Sequence, residues 1–537
     1  MSNYLRRNTE NTAPKSRRKL WLATGVAGLT GVVSLAGVAA AATAGAAGPD
    51  LANLKWSTAE QVARDGSAGD AGEADKGHEG QKGRDDRGGQ ESGDKDWQGK
   101  DGGDWSGNDW QGKDGKDWHG KDKDGKDKDG KDKDDHGPAK EVPCDTDVLV
   151  EAVNRANEDN GGVFKLAKDC EYKFTEQTDN NAFPAIDERI VLIGHNSKLV
   201  HDGSELFRFF EVLSGGDLTL KDLTLKGGQV TGPPPLTTGE DGGALLVQEG
   251  GQATLKHTKL VDNRATGTGN SGRGGAIANF GDVDIYDSKL ANNHARGVGE
   301  SGGSGGAIYN EGDLTVKDTE ITHNTATGTP GEAGGHGGGI ANEDNGTATI
   351  AYSQITNNKA SGDGGGIHND DDARLTVTRT KITGNVACDS GGGIYNDDDA
   401  HMLLEYVIIA ENKATDDGGG VFHDSDAIAT IRHAKFIDNV AGDNGGGLFN
   451  GDALNLFDSE FKGNHAREGG AIYNDTNAVL TVRNSKIVYN FAAERGTATS
   501  GAGGIFNSNN ATVNLDDKTV IKKNEPRNCV RVPGCAN

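Results

Sequence analysis

Clusters of aspartates recur at a fixed spacing in the middle of this 537-residue chain. Equivalent residues are 27 positions apart, and each cluster follows a run of three glycines. If the copies stack in register, equivalent carboxylates lie about 5 Å apart, close enough to raise one another's pKa or to share a cation. Ca²⁺ prefers clustered Asp oxygens in flexible turns. The pattern predicts a Ca²⁺-binding ridge with six candidate ligands, Asp370, Asp372, Asp397, Asp399, Asp424 and Asp426.

Two other interpretations of these acidic columns stay open. A solvated acidic edge needs no cation, because exposed charges move apart and are screened by salt. Alternatively, paired carboxylates roughly 5–9 Å apart catalyse glycoside hydrolysis. The acids repeat evenly, however, whereas a catalytic pair usually stands out from its surroundings. The sequence therefore assigns no catalytic residue, and a non-catalytic role is favoured.

The glycine runs belong to a repeat that must position these acids. Within one unit, Leu375 and Val377 alternate with polar residues, which is the period of a strand, and each run is too short to be stable alone. A repeat period of 24 to 33 residues indicates stacked units, with one apolar anchor each at Leu245, Ile277, Ile308, Ile340, Ile367, Ile394, Val421, Leu448, Ile472 and Ile505. We predict an all-β fold, a right-handed parallel β-helix (solenoid), since parallel crossovers are almost always right-handed.

Asparagines occupy two further columns of the repeat. One column follows the glycines, where Val247 and His423 interrupt it. A ladder of stacked amides satisfies each member except those at its ends, so we interpret these residues as structural. The other predicted ladder consists of Asn263, Asn293, Asn324, Asn358, Asn385, Asn412, Asn439, Asn464, Asn490 and Asn524.

This repeat resembles those of known β-helix families. The pattern Gly-Gly-Ala-Ile-Tyr-Asn occurs at residues 305–310 and 469–474, and Phe-x-x-Asn occurs at 436–439 and 461–464. Over about residues 242–524 it is similar to the repeats of polymorphic outer membrane proteins. It looks still more like the secreted right-handed parallel β-helix proteins of actinobacteria, in the pectate-lyase-like superfamily. The resemblance implies the fold, whereas the superfamily includes lyases, hydrolases and adhesins and so leaves the activity open.

The N-terminal residues predict export. Residues 1–46 place Arg and Lys before a long uncharged run with small residues suited to signal peptidase, and residues 16–20 resemble a twin-arginine signal. An uncleaved membrane anchor is the alternative, because the run is long enough to span a bilayer. Residues 47–143 are rich in Gly, Asp and Lys and are expected to form a disordered linker.

The ordered part is expected to begin with an N-terminal cap and irregular first coils at residues 144–241. Asp145 is a candidate N-cap for a helix that places Leu149, Val153 and Ala156 on one face and covers the open end of the solenoid. The repeats are expected to continue over residues 242–525.

Cysteine usage fits an exported protein. A C-terminal tail at residues 526–537 carries one pair of cysteines, and the predicted cap carries another, so each pair could close a short loop at a place where a solenoid frays. Cys388 is expected to be a free thiol. The predicted disulfide residues are Cys144, Cys170, Cys529 and Cys535.

The acidic composition restricts the partners. A net charge of −26 repels nucleic acid and anionic lipid, so neither is expected to bind. No contact with a membrane is expected beyond the signal segment, and the chain is predicted to be a monomer. The expected partners are a polysaccharide, a cell-wall glycan or a surface protein, at the cell surface or outside the cell.

A candidate binding patch lies where the longer coils extend the turn before the glycines. Rigid scaffolds usually carry binding residues on such loops. Tolerated insertions explain the longer turns equally well. The residues of this candidate patch are Arg273, Arg296, Glu300, Glu332 and His336. The predicted function is an adhesin-like, glycan- or protein-binding or structural module, with a polysaccharide lyase or glycoside hydrolase as the alternative.

Overall fold

A computed structural model describes residues 139–231, 241–268, 271–298, 302–329, 334–493 and 501–537. The predicted signal segment and residues 47–138 of the predicted linker lie outside these described residues.

Each coil of the chain contributes short strands to four parallel ladders. The first ladder follows the glycine runs, and each of its strands pairs with the equivalent strand one coil away. A Cβ on Gly392 would overlap the Gly419 carbonyl of the next coil, so the glycines allow the coils to approach this closely. The first-ladder strands are Phe210–Val212, Leu245–Val247, Ile277–Asn279, Ile308–Asn310, Ile340–Asn342, Ile367–Asn369, Ile394–Asn396, Val421–His423, Leu448–Asn450, Ile472–Asn474, Ile505–Asn507 and Cys529–Val530.

The second and third ladders form the longer walls of the solenoid. Two long strands, Arg189–His201 and Asp217–Lys226, take part in both ladders. The second ladder also contains Lys140–Val142, Gly162–Leu166, Gln252–Lys256, Asp282–Tyr286, Asp313–Lys317, Thr347–Ala351, Arg374–Thr378, His401–Glu405, Ile428–Arg432, Ala453–Phe457, Val479–Arg483 and Thr512–Leu515. The third ladder also contains Glu171–Phe174, Lys259–Val261, Lys289–Ala291, Glu320–Thr322, Gln354–Thr356, Lys381–Thr383, Ile408–Ala410, Lys435–Ile437, Glu460–Lys462, Lys486–Val488 and Val520–Lys522.

The fourth ladder completes each coil before the next glycine run. Its strands are two residues long in the later coils and five residues long at Arg264–Thr268 and His294–Val298, which pair with each other over their full length. Part of each longer turn that the sequence predicts before the glycines is therefore β-strand. The fourth-ladder strands are Gln229–Thr231, Arg264–Thr268, His294–Val298, Thr325–Thr327, Lys359–Ala360, Val386–Ala387, Lys413–Ala414, Val440–Ala441, His465–Ala466 and Phe491–Ala492.

Aliphatic columns fill the interior of the solenoid. Val377 pairs with Leu404, and Leu404 pairs with Ile431, so equivalent side chains lie directly above one another. All three side chains are fully buried, and each such burial contributes about 1.5–3 kcal/mol. The predicted parallel solenoid is confirmed.

Two amide ladders run along the interior beside these columns. Asn385 donates both its backbone N–H and its Nδ2–H to Oδ1 of Asn412, at 3.0 Å each. The same pair of hydrogen bonds links the other members of the longer ladder, from Asn263 to Asn524. The shorter ladder connects first-ladder strands through single amide contacts, such as Asn369 to Asn396 at 2.8 Å.

A helix packs against the N-terminal coils, and a disulfide lies near each end of the solenoid. Helix α1 (Thr146–Glu158) begins at the N-cap Asp145, and it buries Leu149, Val153 and Ala156 as the sequence predicts. A disulfide joins Cys144 to Cys170, and another joins Cys529 to Cys535.

The ordered region differs from the predicted boundaries at both termini. Lys140–Val142 already pairs with the strand at Gly162–Leu166, although the linker was expected to reach residue 143. Cys529–Val530 pairs with Ile505 and Phe506, so the predicted tail adds a strand to the first ladder. Backbone pairing beyond the regular repeat leaves fewer exposed strand edges at each end.

Candidate functional site

The outer face of the first ladder carries a column of aromatic rings. In each strand the first and third residues point inward and the middle residue points outward, so equivalent middle residues stack one coil apart. Neighbouring ring centroids lie 4.6–5.3 Å apart with near-parallel planes. We call this column the aromatic stack; its members are His368, Tyr395, Phe422, Phe449, Tyr473 and Phe506.

Stacking covers the faces of these rings. His336 lies 4.8 Å from His368 at one end, and the guanidinium of Arg531 lies 5.7 Å from the Phe506 ring at the other. Phe422 and Phe449 are less than a tenth exposed. Only ring edges remain accessible, so the aromatic stack mainly stabilises the coils and does not offer flat platforms for a ligand.

In the coils before His368, a polar network takes the place of the regular aromatic stack. Arg273 donates to Asp241 at 2.8 Å, to the Tyr309 hydroxyl at 2.7 Å and to Glu311 at 2.9 Å, while its guanidinium packs over the Tyr309 ring. The Tyr309 hydroxyl also donates to Glu311. Burial raises the pKa of Tyr309 well above its usual value, so the phenol stays protonated and serves as a donor.

The network continues into a cluster of carboxyl groups around His368. Burial and then the neighbouring Asp370 raise the pKa of Glu343 to about 8. The same two causes raise the pKa of Asp397 to about 9. Burial lowers the pKa of His368 to about 4, so its imidazole is neutral at physiological pH. Carboxyl groups that retain protons at neutral pH are characteristic of functional sites.

The structure places the expected Ca²⁺ ligands in two sets. Asp370, Asp397 and Asp424 lie within three groups of closely spaced ligand atoms found among the described residues: Glu343, His368 and Asp370; Asp370, Asp371 and Asp397; and Asp397, Asp398 and Asp424. Asp372, Asp399 and Asp426 belong to none of these groups. Each of these three adopts a left-handed backbone conformation at the end of its turn, and the preceding residues Asp371 and Asp398 contribute oxygen atoms instead.

The oxygens of Asp424 are already engaged. Its Oδ1 accepts from the Ser425 backbone at 2.8 Å, and its Oδ2 accepts from the Tyr395 hydroxyl at 2.8 Å. Oδ1 of Asp370 accepts from the Asp371 backbone at 2.9 Å in the same way.

Of the candidate binding patch, the structure describes Arg273, Arg296 and His336, which lie in different surroundings. The side chain of Arg273 is 17% exposed because it points into the polar network. Nδ1 of His336 accepts from the Asp363 backbone at 3.0 Å, in the same cluster as His368. Arg296 is exposed on the fourth ladder, where it pairs with Thr266. The other two predicted members, Glu300 and Glu332, lie outside the described residues.

A second polar column lines the other edge of the first ladder. The Asp417 carboxylate accepts from the Asn444 backbone at 2.7 Å, and the Asp417 backbone donates to the Ser390 hydroxyl at 3.3 Å. Burial raises the pKa of Asp417 to about 6 in spite of the Asn444 hydrogen bond. One residue before each member of this column the sequence carries an aspartate. These aspartates are Asp389, Asp416 and Asp443.

Asp417→Asn is expected to remove part of the pH dependence of stability. A raised folded-state pKa means that the native state holds this proton more tightly, so Asp417 stabilises the fold below about pH 4 and loses that contribution as the pH rises through 6. Solvent screening reduces the effect because this group is only half-buried. The free energy of unfolding of the variant should exceed that of the native protein by about 1 kcal/mol at pH 7.5 and should equal it at pH 4. Urea denaturation at both pH values measures the difference.

Ser390→Ala is the matched control for that experiment. It removes the hydroxyl that accepts from the Asp417 backbone and changes no charge, so its loss of stability should be the same at both pH values. An equal effect of Asp417→Asn on stability at pH 4 and at pH 7.5 would contradict the raised pKa of Asp417.

Sequence reasoning missed Tyr309, Glu343, Asp363 and His368. His336 was placed only in the candidate binding patch and His368 was given no role, because His336 precedes a glycine run whereas His368 follows one, so the repeat assigns them to different columns. The winding of the chain nevertheless brings their rings into contact. The sequence did contain a signal for this site. The outward-facing middle position of the first ladder carries Tyr309, Ala341 and His368 in three successive coils, before the regular run of aromatic residues begins.

Comparisons with known proteins agree with this repeat. The model of the Chlamydia polymorphic membrane protein repeat matches residues 353–370 and 458–475. Each matched segment runs from the third ladder through both asparagine positions to the acid after the first-ladder strand, Asp370 or Asp475. No curated protein matches the chain significantly.

Two solved structures align over most of the chain. PfbA, a surface adhesin of Streptococcus pneumoniae, has 10% identity and a TM-score of 0.33, and the alignment covers 71% of this chain and 90% of that chain. The periplasmic alginate epimerase AlgG has 11% identity and a TM-score of 0.28, with 70% of this chain and 83% of that chain covered. At these TM-scores neither structure carries an argument about function. Among the described residues, no helix is long and apolar enough to span a bilayer.

Proposed function

We propose that this chain is an exported or surface-exposed solenoid that binds a glycan without cleaving it, through the outer face of the first ladder. The observation that carries the proposal is the polar network, which concentrates carboxyl groups on one face over consecutive coils. Carboxylates accept hydrogen bonds from sugar hydroxyls, and paired strands hold them rigidly. The match to a membrane-protein repeat supports export.

The charge of this face favours a neutral or amino-bearing glycan. The exposed aspartates in the turns after the strands Ile367–Asn369, Ile394–Asn396 and Val421–His423 repel polyanions and attract cations. Ca²⁺ bound along this edge would bridge the carboxylates to sugar hydroxyls, which is the role we propose for the predicted ridge.

The test is a glycan array followed by titration of the best ligand, with the full chain. Asp371→Asn combined with Asp398→Asn removes two carboxylates from the acidic edge, and we expect at least tenfold weaker binding. The control is Asp282→Asn combined with Asp313→Asn, which removes the same charge from paired, exposed positions on the second ladder. Each protein is titrated with EDTA and with millimolar Ca²⁺, because a ridge that needs the cation loses binding in EDTA.

Equal losses of glycan affinity in the two double variants would mean that net charge causes the loss, and would reject the acidic edge as the binding surface. The absence of any retained glycan would reject glycan binding and favour a protein partner or a structural role.

Cleavage of a polysaccharide is the second candidate, and one observation favours it. Glu343 and Asp370 bring carboxyl oxygens within 4.8 Å of each other on adjacent coils, which is a pairing that acid–base catalysis can use. Release of reducing ends or unsaturated products by the native protein, abolished in Glu343→Gln, would establish the enzyme in place of the binding module.

A further inference from the structure

Three side chains from two adjacent coils converge beside the aromatic stack. One ligand atom each from Glu343, His368 and Asp370 lies within 4.8 Å of the other two. Backbone pairing holds them in place, because Asn342 pairs with Asn369 and the Asp370 backbone donates to the Asn342 carbonyl at 2.9 Å. The three groups are therefore positioned by rigid strands, as a preformed ligand site requires.

The imidazole of His368 makes no hydrogen bond among the described residues. The residue is only 3% exposed, and its Nδ1 is buried without a hydrogen bond. Its Nε2 lies 3.8 Å from Asp397 Oδ2, which exceeds hydrogen-bonding distance. Leaving a buried polar atom unsatisfied costs about 1–3 kcal/mol, so native structures rarely retain one without a reason.

The equivalent positions in neighbouring coils show that the ladder does not require histidine here. The preceding strand carries Ala341 and the following strand carries Tyr395 at the same register. Tyr395 satisfies its hydroxyl with Asp424. A residue with an unsatisfied ring nitrogen therefore occurs where two carboxyl groups of adjacent coils meet it.

We propose that Glu343, His368 and Asp370 bind a divalent transition-metal ion of the Zn²⁺ class. One imidazole nitrogen and two carboxylates form a donor set that Zn²⁺ accepts, with a further position left for water. Ca²⁺ and Mg²⁺ select oxygen ligands, so the nitrogen distinguishes this site from the acidic ridge. This inference does not depend on the proposed glycan binding, because metal binding is measured without a glycan.

The geometry needs only side-chain adjustment. Ligands of a tetrahedral Zn²⁺ ion at about 2.0–2.2 Å are roughly 3.4 Å apart, so atoms within 4.8 Å of one another need to approach by at most about 1.4 Å. Glu343 and Asp370 directly follow their strands, so rotation of both side chains supplies that movement without a shift of the strands. The Asp397 carboxyl next to Nε2 would orient the ring, as outer carboxylates do for metal-bound histidines.

The test measures Zn²⁺ binding by the metal-free full chain, using equilibrium dialysis. His368→Tyr should keep the aromatic stack, because tyrosine occupies the same register in the next coil. We expect the native protein to bind one more Zn²⁺ equivalent than His368→Tyr, and Glu343→Gln to bind that equivalent at least tenfold more weakly. His423→Asn is the control, since His423 is also buried but points into the solenoid, and its binding should equal that of the native protein.

Cobalt substitution identifies the ligand atom. Co²⁺ bound to the native protein and to His423→Asn should show an absorption band that His368→Tyr lacks. Sites elsewhere in the chain contribute equally to all variants and cancel in these differences. Equal Zn²⁺ stoichiometry and affinity in native protein and His368→Tyr would overturn the proposal. Displacement of Zn²⁺ by an equal concentration of Ca²⁺ would also overturn it, because that result indicates an all-oxygen site.

Discussion

Asn412→Ala is expected to lower the free energy of unfolding by about 3–5 kcal/mol. Oδ1 of Asn412 accepts from the backbone and the side chain of Asn385, and its Nδ2 donates to the Ile382 carbonyl at 2.9 Å and to Asn439 at 3.0 Å. Both neighbouring asparagines are fully buried, so water cannot replace the lost partner. Alanine therefore leaves buried donors and acceptors unsatisfied and opens a small cavity.

The measurement is urea denaturation of the full chain followed by circular dichroism. Lys413→Ala is the matched control, because it alters the next residue of the same coil but removes only an exposed side chain. We expect it to change stability by less than about 0.5 kcal/mol. A loss below 1 kcal/mol in Asn412→Ala would show that the amide ladder contributes little to the fold.

His423→Asn is expected to stabilise the protein by about 2 kcal/mol. His423 interrupts the shorter amide ladder: its Nδ1 takes the place of an amide oxygen opposite Asn396, at 3.3 Å. Its Nε2 and Oδ1 of Asn450 in the next coil are both buried without a hydrogen bond among the described residues. Asparagine can accept from Asn396 and donate to Asn450, as Asn369 does between its own neighbours.

His423→Leu provides the comparison that isolates the amide. Leucine removes the imidazole but cannot connect Asn396 to Asn450, so Asn396 loses its partner, Oδ1 of Asn450 stays unsatisfied, and no gain in stability should appear. The same denaturation series compares both variants with the native protein. Equal stability of His423→Asn and His423→Leu would mean that ladder continuity does not account for the effect.

The fold was predictable from sequence because its information is local and repeated. An apolar anchor, two alternating aliphatic residues and two asparagines recur in most units, and each error in register would bury an amide against an aliphatic side chain. The pairing of Leu404 with Ile431 and the hydrogen bond from Asn385 to Asn412 follow directly from that repetition. The capping helix was equally local, since Asp145 and the apolar spacing after it define the helix start and its buried face.

The candidate site was only partly predictable because it occurs where the repeat is broken. The regular spacing of Asp370, Asp397 and Asp424 indicated an acidic edge. The direction of each side chain depended on the turn, which places Asp372 outside the ligand groups and brings in Asp371. No spacing rule could give these orientations, since they are set by backbone angles at single positions.

The sequence by itself therefore determined the period, the inward-facing columns and the amides that connect one coil to the next. Only the tertiary structure decided that His336 and His368, from different columns of the repeat, lie together beside Glu343 and Asp370. The physical reason is that a solenoid places residues about one coil apart in sequence within roughly 5 Å in space. Because the register partner of His368 in the preceding coil is Ala341, the ring that contacts His368 on that side is His336.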